Sequence, residues 1–250
     1  MKKVLNVLLA AAFSATAFAQ TAAPAAAKEP KKNVVSSFRV MPKPGHTDAF
    51  KAAIAAHAQK YHKGDHSWRV GEVMSGEDGG MFQINEGPTS WTALDDRGDL
   101  GAEHQADFEK NITPHIEKIT ANSYATFNEE LSCVKMDSWS NKVLMYHYVV
   151  KPGKLPLASD LMKRYKATWE KRGLNAAVWV SAFSGAAQYN VAFRLKNGWK
   201  DFDADSMSPR EAATALWGAA AFDRMVEDAA ECFEKITTEL VNYDPALGSK

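Results

Sequence analysis

The sequence lacks an excess of charge of either sign. Its 250 residues include 30 Lys and Arg against 30 Asp and Glu, and no basic block stands out along the chain. A surface that binds nucleic acid or anionic lipid needs clustered positive charge. The composition therefore argues against a nucleic-acid partner.

Long apolar runs are also missing, apart from one at the N-terminus. Lys2 and Lys3 precede an apolar stretch at 4–17, and Ala17-Phe18-Ala19 fits a small-x-small cleavage site before Gln20. We interpret 1–19 as a bacterial signal peptide, which predicts a periplasmic or secreted protein. No other run could span a membrane, so no membrane association is expected after cleavage. The Ala-, Pro- and Lys-rich stretch at 20–32 predicts a disordered linker.

Cysteine is scarce, since only Cys133 and Cys232 occur. In an oxidising compartment such a pair is a candidate disulfide. A buried, unbonded Cys232 is the alternative interpretation.

Sequence signatures of the common catalytic classes are absent. The chain has no nucleophile elbow, no HExxH zinc motif and no glycine-rich phosphate loop. Function therefore has to be inferred from architecture and from polar residues at positions that should be buried.

An internal duplication is what the sequence does offer. IEKIT at 116–120 returns as FEKIT at 233–237, and Lys-Pro-Gly at 43–45 returns at 151–153. Tyr61 and Trp91 also have aromatic counterparts 108 residues later, at Trp169 and Trp199. Several matches in one order along the chain favour a repeated unit over chance.

Each copy shows the same predicted order of elements. A strand rich in β-branched and aromatic residues comes first, at 34–41 and at 142–150, followed by a helix with apolar residues four and three apart. Two strands, a second helix and a last strand complete each unit. The second helix of the first copy is predicted over 108–119, and the two EKIT segments are expected to mark the end of the second helix in each copy. Pro114 should kink or split the second helix of the first copy. The order β-α-β-β-α-β predicts two ferredoxin-like repeats, at 33–135 and 136–250.

Two such units can cover each other sheet against sheet. The predicted fold is therefore α+β, with two tandem repeats packed as an α/β barrel within one chain. In this respect the chain resembles the dimeric α/β-barrel superfamily, which includes antibiotic-biosynthesis-type monooxygenases, NIPSNAP-like proteins and the duplicated chlorite dismutase group. The resemblance implies a ligand pocket between helices and sheet, and oxygenase chemistry that uses haem or no cofactor. Chlorite dismutases take their haem ligand from a helix of the second half, where this chain has only His147, on a strand.

Polar residues on faces that should be buried point to the first repeat. His57 interrupts the apolar stripe of its first helix, next to Tyr61, and is either a hydrogen-bonded core histidine or a pocket residue. His115 on the second helix has Cys232 as its counterpart. His104, four residues before Phe108, extends this group of histidines. His57 and His115 are the catalytic candidates, and the predicted ligand-binding set is His57, Tyr61, Trp68, His104 and His115.

Two other groups of polar residues call for a structural explanation. His62 and His66 are four apart, but Gly64 should end the helix between them, so we expect solvated loop histidines and no metal site. Arg39 and His147 should face the interior between the two sheets, where a buried arginine needs a carboxylate and Glu72 on the neighbouring strand is one option. That interior is the alternative place for a cavity.

Three functions remain open at this stage. The first is an exported protein that binds a small molecule of unknown identity, or an accessory protein, with its helix–sheet pocket in repeat 1. The second is a monooxygenase, either cofactor-independent or haem-dependent. The third is a scaffold for protein contacts, and the chain is expected to be a monomer or a homodimer.

Overall fold

The computed structural model describes residues 29–250. The signal peptide expected at 1–19 and most of the linker expected at 20–32 lie outside this range. The last linker residues, 29–32, run in irregular conformation to the first strand. Here the Lys32 ammonium forms an ion pair with Asp65 at 2.8 Å.

The described chain contains nine strands and six α-helices. Its strands are β1 (Val34–Pro42), β2 (Trp68–Val73), β3 (Phe82–Thr89), β4 (Ile116–Ile119), β5 (Ser123–Phe127), β6 (Lys142–Val150), β7 (Ala176–Ser181), β8 (Gln188–Leu195) and β9 (Phe233–Tyr243). Its α-helices are α1 (Thr47–Tyr61), α2 (Trp91–Asp96), α3 (Ala102–Asp107), α4 (Leu155–Lys171), α5 (Pro209–Trp217) and α6 (Ala221–Cys232). None of these helices has the length and apolar character needed to cross a membrane.

The strands close into an antiparallel barrel. The order around it is β3-β2-β9-β6-β8-β7-β5-β1, and β1 pairs back with β3 to complete eight strands. β4 lies beside β5 on the same edge of β1, because β5 pairs with residues 34–37 and β4 with residues 40–42. The prediction of an α+β barrel within one chain is confirmed at this level.

Two strand pairs join the N-terminal and C-terminal halves. β2 pairs with β9, where Gly71 lies opposite Tyr243, and β5 pairs with β7. A Cβ atom on Gly71 would lie 2.7 Å from Cδ1 of Tyr243, closer than real Cβ atoms approach such a neighbour. Glycine at this position is therefore what lets the Tyr243 ring lie across the neighbouring strand.

Alternation along the strands separates two interiors. In β1, Val40 is buried against the helices with Phe38 beside it, while Arg39 lines the inside of the barrel. In β6, Tyr148 packs under the helices and His147 lines the inside. The predicted inward direction of Arg39 and His147 is confirmed.

The helices bury the apolar stripes that their spacing predicts. In α1 the buried side chains include Phe50, Ile54 and His57, and in α4 they include Met162 and Trp169. α5 begins with the expected capping box, in which the Ser208 hydroxyl accepts from the amide of Glu211. Each half thus has its own apolar layer between helices and barrel.

The second helix of the first half differs from its prediction. A helix over 108–119 was expected, but α3 ends at Asp107 and continues as one π turn at Phe108–Ile112 and a 3-10 turn at Thr113–His115. Pro114 lies in that last turn, where a missing N–H and a fixed φ end the helix. The expected break is present, and it is complete rather than a kink.

The two EKIT segments lie at the starts of strands, and their assignment to helix ends is wrong. Ile116 begins β4 and Phe233 begins β9. At the residue before each strand, the carbonyl of His115 accepts from the amide of Lys43, and that of Cys232 accepts from Lys151, both at 2.9 Å. Pairing with the first strand of each half therefore takes these residues out of the helix.

Cys133 and Cys232 are both free thiols, so the predicted disulfide is not formed. Cys133 lies between β5 and β6, and its sulfur points to the carbonyl of Lys166 in α4. Cys232 is fully buried at the end of α6. Burial raises the pKa of the Cys133 thiol to about 11, which keeps it protonated and unreactive at neutral pH.

Replacing Phe50 tests how far the first helix–barrel layer stabilises the fold. Phe50 is fully buried against Phe82, with ring centroids 5.2 Å apart. We expect Phe50→Ala to lower the free energy of unfolding by about 3–5 kcal/mol in urea denaturation. Phe183, which is 73% exposed, is the matched control. Phe183→Ala should cost less than about 1 kcal/mol, and equal losses for the two variants would contradict the assigned core.

Candidate functional site

Three histidines from separate segments of the first half converge in its helix–barrel layer. His57 Nε2 lies 3.4 Å from His62 Nε2, and His104 Nε2 lies 3.2 Å from His62 Nε2. His57 and His62 are buried, while His104 is partly exposed. We call these three residues the histidine cluster.

Local backbone geometry brings the cluster together. His57 lies on the buried stripe of α1, and His104 lies in α3. His62 follows the last residue of α1 in an extended conformation, with φ −102° and ψ 101°. This turn directs the imidazole under the helix, where it stacks on the Trp68 ring at 3.6 Å between centroids.

Acceptor oxygens lie beside the outer nitrogens of all three rings. His57 Nδ1 lies 2.7 Å from Asp107 Oδ2, and His104 Nδ1 lies 3.1 Å from the carbonyl oxygen of Asp99. His62 Nδ1 lies 3.2 Å from Glu86 Oε2, although not in hydrogen-bond alignment. Carbonyls and ionised carboxylates only accept hydrogen bonds, so each Nδ1 is favoured as the protonated nitrogen.

Glu86 is the charged centre of this surrounding shell. Its side chain is buried, and Oε2 accepts from Trp68 Nε1 at 2.9 Å and from Arg97 Nη2 at 3.0 Å. His66 Nδ1 lies 3.4 Å from its other oxygen. Burial tends to raise the pKa of Glu86, but the contacts with His62, Trp68 and Arg97 outweigh it and lower the pKa. A charged carboxylate therefore faces His62.

The cluster favours neutral imidazoles. Burial is the main cause that lowers the pKa of His57, His62 and His104, and the neighbouring histidines add to it. The hydrogen bond to Asp107 opposes this for His57 without reversing it. At neutral pH the three rings are therefore uncharged.

This protonation pattern leaves three lone pairs facing one another. If each Nδ1 carries the proton, no hydrogen lies between the Nε2 atoms at 3.2 and 3.4 Å. Moving the proton of His62 to Nε2 would satisfy one contact only, and would turn a bare Nδ1 toward the Glu86 carboxylate. A cation at the centre satisfies all three nitrogens at once.

The spacing of the nitrogens suits one metal ion. Ligand atoms about 2.0–2.1 Å from a tetrahedral Zn²⁺ lie about 3.3 Å from one another. The ligand atoms of the three residues all fall within 4.8 Å, and the two shortest separations are 3.2 and 3.4 Å. Ligating histidines in proteins also hold their second nitrogen by a carboxylate or a carbonyl. His57 and His104 do so here, and the Glu86 carboxylate lies beside the second nitrogen of His62.

The structure brings together most of the sequence-predicted site. Tyr61 packs beside His57 and His104, at 5.0 and 5.4 Å between ring centroids, and Trp68 forms the floor under His62. His115 lies elsewhere, with its Nδ1 3.0 Å from His46 Nδ1 near the start of α1. It takes no part in the cluster because the turn that contains it leads directly into β4.

His62 is the residue that the sequence interpretation missed. It was expected to be a solvated loop histidine, but it is fully buried. The helix ends at Tyr61, before Gly64, so the side chain of His62 turns inward instead of outward. The five-residue separation from His57 was a signal for this contact, but only with the helix end in the right place.

A second space lies inside the barrel. This cavity has a volume of about 590 Å³ and is lined from both halves, by Arg39 and His147 among others; we call it the barrel cavity. Arg39 pairs with Glu239 and with Asp78, the latter at 2.7 Å, and not with Glu72, which was one option. Glu72 instead pairs with Lys51 on the outer surface. The expected alternative cavity between the sheets is thus present.

Haem, which the resemblance implies, fits these residues less well than a single ion. His147 lines the barrel cavity, but its nitrogens contact Asn190 Oδ1 at 2.7 Å and Glu239 Oε1 at 3.0 Å. In the histidine cluster the three Nε2 nitrogens point at one another, which suits one small ion better than the iron of a porphyrin.

The pKa shifts predict a pH dependence of stability for the metal-free protein. The folded-state pKa of each cluster histidine lies below its unfolded value of 6.5. Below about pH 6.5 the unfolded chain then binds more protons than the folded protein does. The contribution of these histidines to the free energy of unfolding is therefore fully present above about pH 6.5 and is lost as the pH falls. With a chelator present, urea unfolding at about pH 7.5 and 5.5 should show this loss, and a His57→Gln/His62→Gln variant should lose less. Equal losses of unfolding free energy in the variant and in the unaltered protein would contradict the lowered pKa values of the cluster histidines.

Comparison with known proteins adds a fold relationship. No protein-family model and no curated protein matches the chain. An anthrone oxidase-like protein matches with a TM-score of 0.55 and 11% identity, over 86% of this chain and 92% of that one. A candidate monooxygenase from Fusobacterium nucleatum subsp. nucleatum gives 0.53 and 10%, over 84% and 91%. One from Lactobacillus acidophilus gives 0.50 and 9%, over 84% and 94%. At such identities the likeness shows the fold alone.

Proposed function

We propose that this protein binds one divalent transition-metal ion, Zn²⁺ in the first instance, through His57, His62 and His104. The observation that carries the proposal is the convergence of three Nε2 atoms at 3.2 and 3.4 Å. The outer nitrogens of His57 and His104 are held by acceptor oxygens, and the Glu86 carboxylate lies beside that of His62. Three neutral imidazoles are one ligand set of catalytic zinc sites, which keep a fourth position open.

The donor type narrows the choice of ion. Imidazole nitrogen suits Zn²⁺, Cu²⁺, Fe²⁺ and Ni²⁺, whereas Ca²⁺ and Mg²⁺ prefer oxygen ligands. His104 is the ligand nearest the surface, so an ion or a small molecule would approach from the α3 side. Asp107 and Glu86 supply negative charge around the site without lying among its ligands. A fourth ligand from water or a small molecule completes the coordination.

Titration with Zn²⁺ or Co²⁺ tests the proposal. We expect one equivalent of Zn²⁺ per chain by calorimetry, a rise in melting temperature, and visible d–d bands of tetrahedral Co²⁺. His104→Ala removes the most exposed ligand, so it should still fold and should bind more than about 100-fold more weakly. His115→Ala, which removes a histidine outside the cluster, should bind like the unaltered protein.

The Asp107→Asn variant tests whether the three histidines bind a metal ion or are only buried in the core. It keeps the shape of the side chain but weakens the hold on His57 Nδ1, so the affinity should fall by about 10–100-fold while the Co²⁺ spectrum keeps its tetrahedral form. Failure of the unaltered protein to bind Zn²⁺ would refute the proposal. A Soret band on haemin titration that is lost in His104→Ala would favour the haem alternative.

A monooxygenase is the second candidate function. It is supported by the partial exposure of His104, which leaves one side of the cluster open, and by the Tyr61 ring beside it. Similar folds include an anthrone oxidase-like protein and two candidate monooxygenases. In this version the pocket of the first half takes a small quinol-like substrate, and the cluster holds or moves a proton at Nε2.

Oxygen uptake with a quinol substrate tests this second candidate. Activity that is present in the unaltered protein, lost in His57→Gln and kept in His115→Ala would support it. The same measurement with a chelator decides whether the reaction needs the ion. Uptake unchanged in His57→Gln would leave binding of the ion as the function.

Two wider features also belong to the proposal. We infer that 33–135 and 136–250 are ferredoxin-like repeats, since strand orders β5-β1-β3-β2 and β9-β6-β8-β7 match and Lys43 and Lys151 make the same contacts. We also infer export, because 1–19 has the form of a signal peptide. The barrel closes within one chain, so ion binding needs no second copy, and a monomer and a homodimer are both compatible with it.

A further inference from the structure

The barrel cavity contains two arginines without an acidic partner. Arg69 and Arg194 both line it, and no carboxylate of the described chain lies within 4.0 Å of either guanidinium. The other lining cations are paired, Arg39 with Glu239 and Asp78, and Lys235 with Glu77 at 2.8 Å. One end of the cavity therefore carries two positive charges with no carboxylate in ion-pair contact, although Asp137 acts on Arg194 from a greater distance.

These arginines are held in place by neutral groups. Arg194 is only 5% exposed and donates to the carbonyls of Lys135 and Met136 at 2.9 and 3.1 Å. Arg69 donates to the carbonyl of Ser140 at 3.2 Å. A guanidinium has five N–H donors, so each arginine keeps donors for a ligand. Buried charge without a counter-charge is costly, which favours an anion at this place.

One aromatic side chain at the edge of the cavity lies close to both charges. The guanidinium carbons of Arg69 and Arg194 lie 4.3 and 4.9 Å from the Trp139 ring centroid, and Arg69 also lies 4.7 Å from that of Tyr243. Trp139 is 45% exposed, so the cavity reaches solvent beside it. Burial, together with the positive charge of Arg69, lowers the pKa of Arg194 to about 10, so both groups remain charged at neutral pH.

Apolar side chains continue inward from the arginines. Val143, Met145, Trp179 and Ala192 line the same space, and beyond them lies the hydrogen-bonded group of Arg39, His147 and Glu239. The volume of about 590 Å³ lies within the range of small-molecule sites. A ligand that fits has an anionic group at one end and an apolar body behind it.

We propose that the barrel cavity is a second binding site, which takes a small amphipathic organic anion whose carboxylate, sulfonate or phosphate group is bound by Arg69 and Arg194. The apolar body lies along Val143, Met145 and Trp179. This site is distinct from the histidine cluster, which lies on the other face of the barrel wall. It does not depend on whether the cluster binds a metal ion.

Two fluorescent probes of one shape test the proposal on the unaltered protein. Anilinonaphthalene sulfonate carries an anionic group, and phenylnaphthylamine has the same aromatic body without it. We expect one saturable site for the sulfonate and at least about tenfold weaker binding of the neutral probe, since charge-assisted hydrogen bonds to the arginines contribute only to the first. Equal affinities, or no saturable sulfonate binding, would overturn the proposal.

Substitution of Arg69 locates the site. Arg69→Met removes the charge and should weaken sulfonate binding by about tenfold or more, while Arg69→Lys should recover part of the loss. The control is Arg210→Met, because Arg210 also lies over an aromatic ring, Phe222 at 4.5 Å, but on the outer helices. That control should leave the affinity unchanged. Equal weakening of sulfonate binding in Arg69→Met and Arg210→Met would overturn the assignment. If Arg69→Met does not fold, the comparison of the sulfonate with the neutral probe on the unaltered protein tests the proposal instead.

Discussion

The pairing of β2 with β3 on one side and β9 on the other is the constraint on which both proposed sites depend. Successive residues of a strand point to opposite faces. Trp68 therefore lies outside the barrel, under His62, while Arg69 points into the barrel cavity. The register that places Trp68 opposite Glu86 sets the indole N–H on the carboxylate, and that carboxylate in turn faces His62. A shift of one residue would exchange the two faces and remove both sites.

Much of the architecture follows from local patterns in the sequence. The strand at 142–150 and the apolar spacing of α1 and α4 were predictable, because side-chain period reflects one buried face. The inward direction of Arg39 followed from the same alternation. The break at Pro114 was also predictable, but its completeness was not, since strand pairing with β1 decides where the helix gives way to β4. Pairing between segments far apart in the chain is not encoded in a local pattern.

The histidine cluster shows the same limit at the level of single residues. His57 was recognisable as a polar residue on an apolar stripe, and the rings of Tyr61, Trp68 and His104, which were predicted to share its pocket, lie next to it. His62 was not, because one backbone turn after Tyr61 decides whether it faces solvent or the interior. The partner of Arg39 was missed for a related reason: Glu239 lies 200 residues away in the chain. Only closure of the barrel makes it a nearer carboxylate than Glu72.

The two halves use their helix–barrel layers differently, and this difference is an argument for function. In the second half the layer is filled by apolar and aromatic side chains, including Tyr148, Tyr165 and Trp169. Burial raises the pKa of Tyr165 to about 12 there, which keeps its hydroxyl neutral. In the first half the corresponding space holds three histidines and a charged Glu86, which stabilise a fold less well than close-packed apolar groups. A polar group that lowers stability without a ligand is most readily explained by binding one, and the densely packed second half helps the barrel to tolerate it.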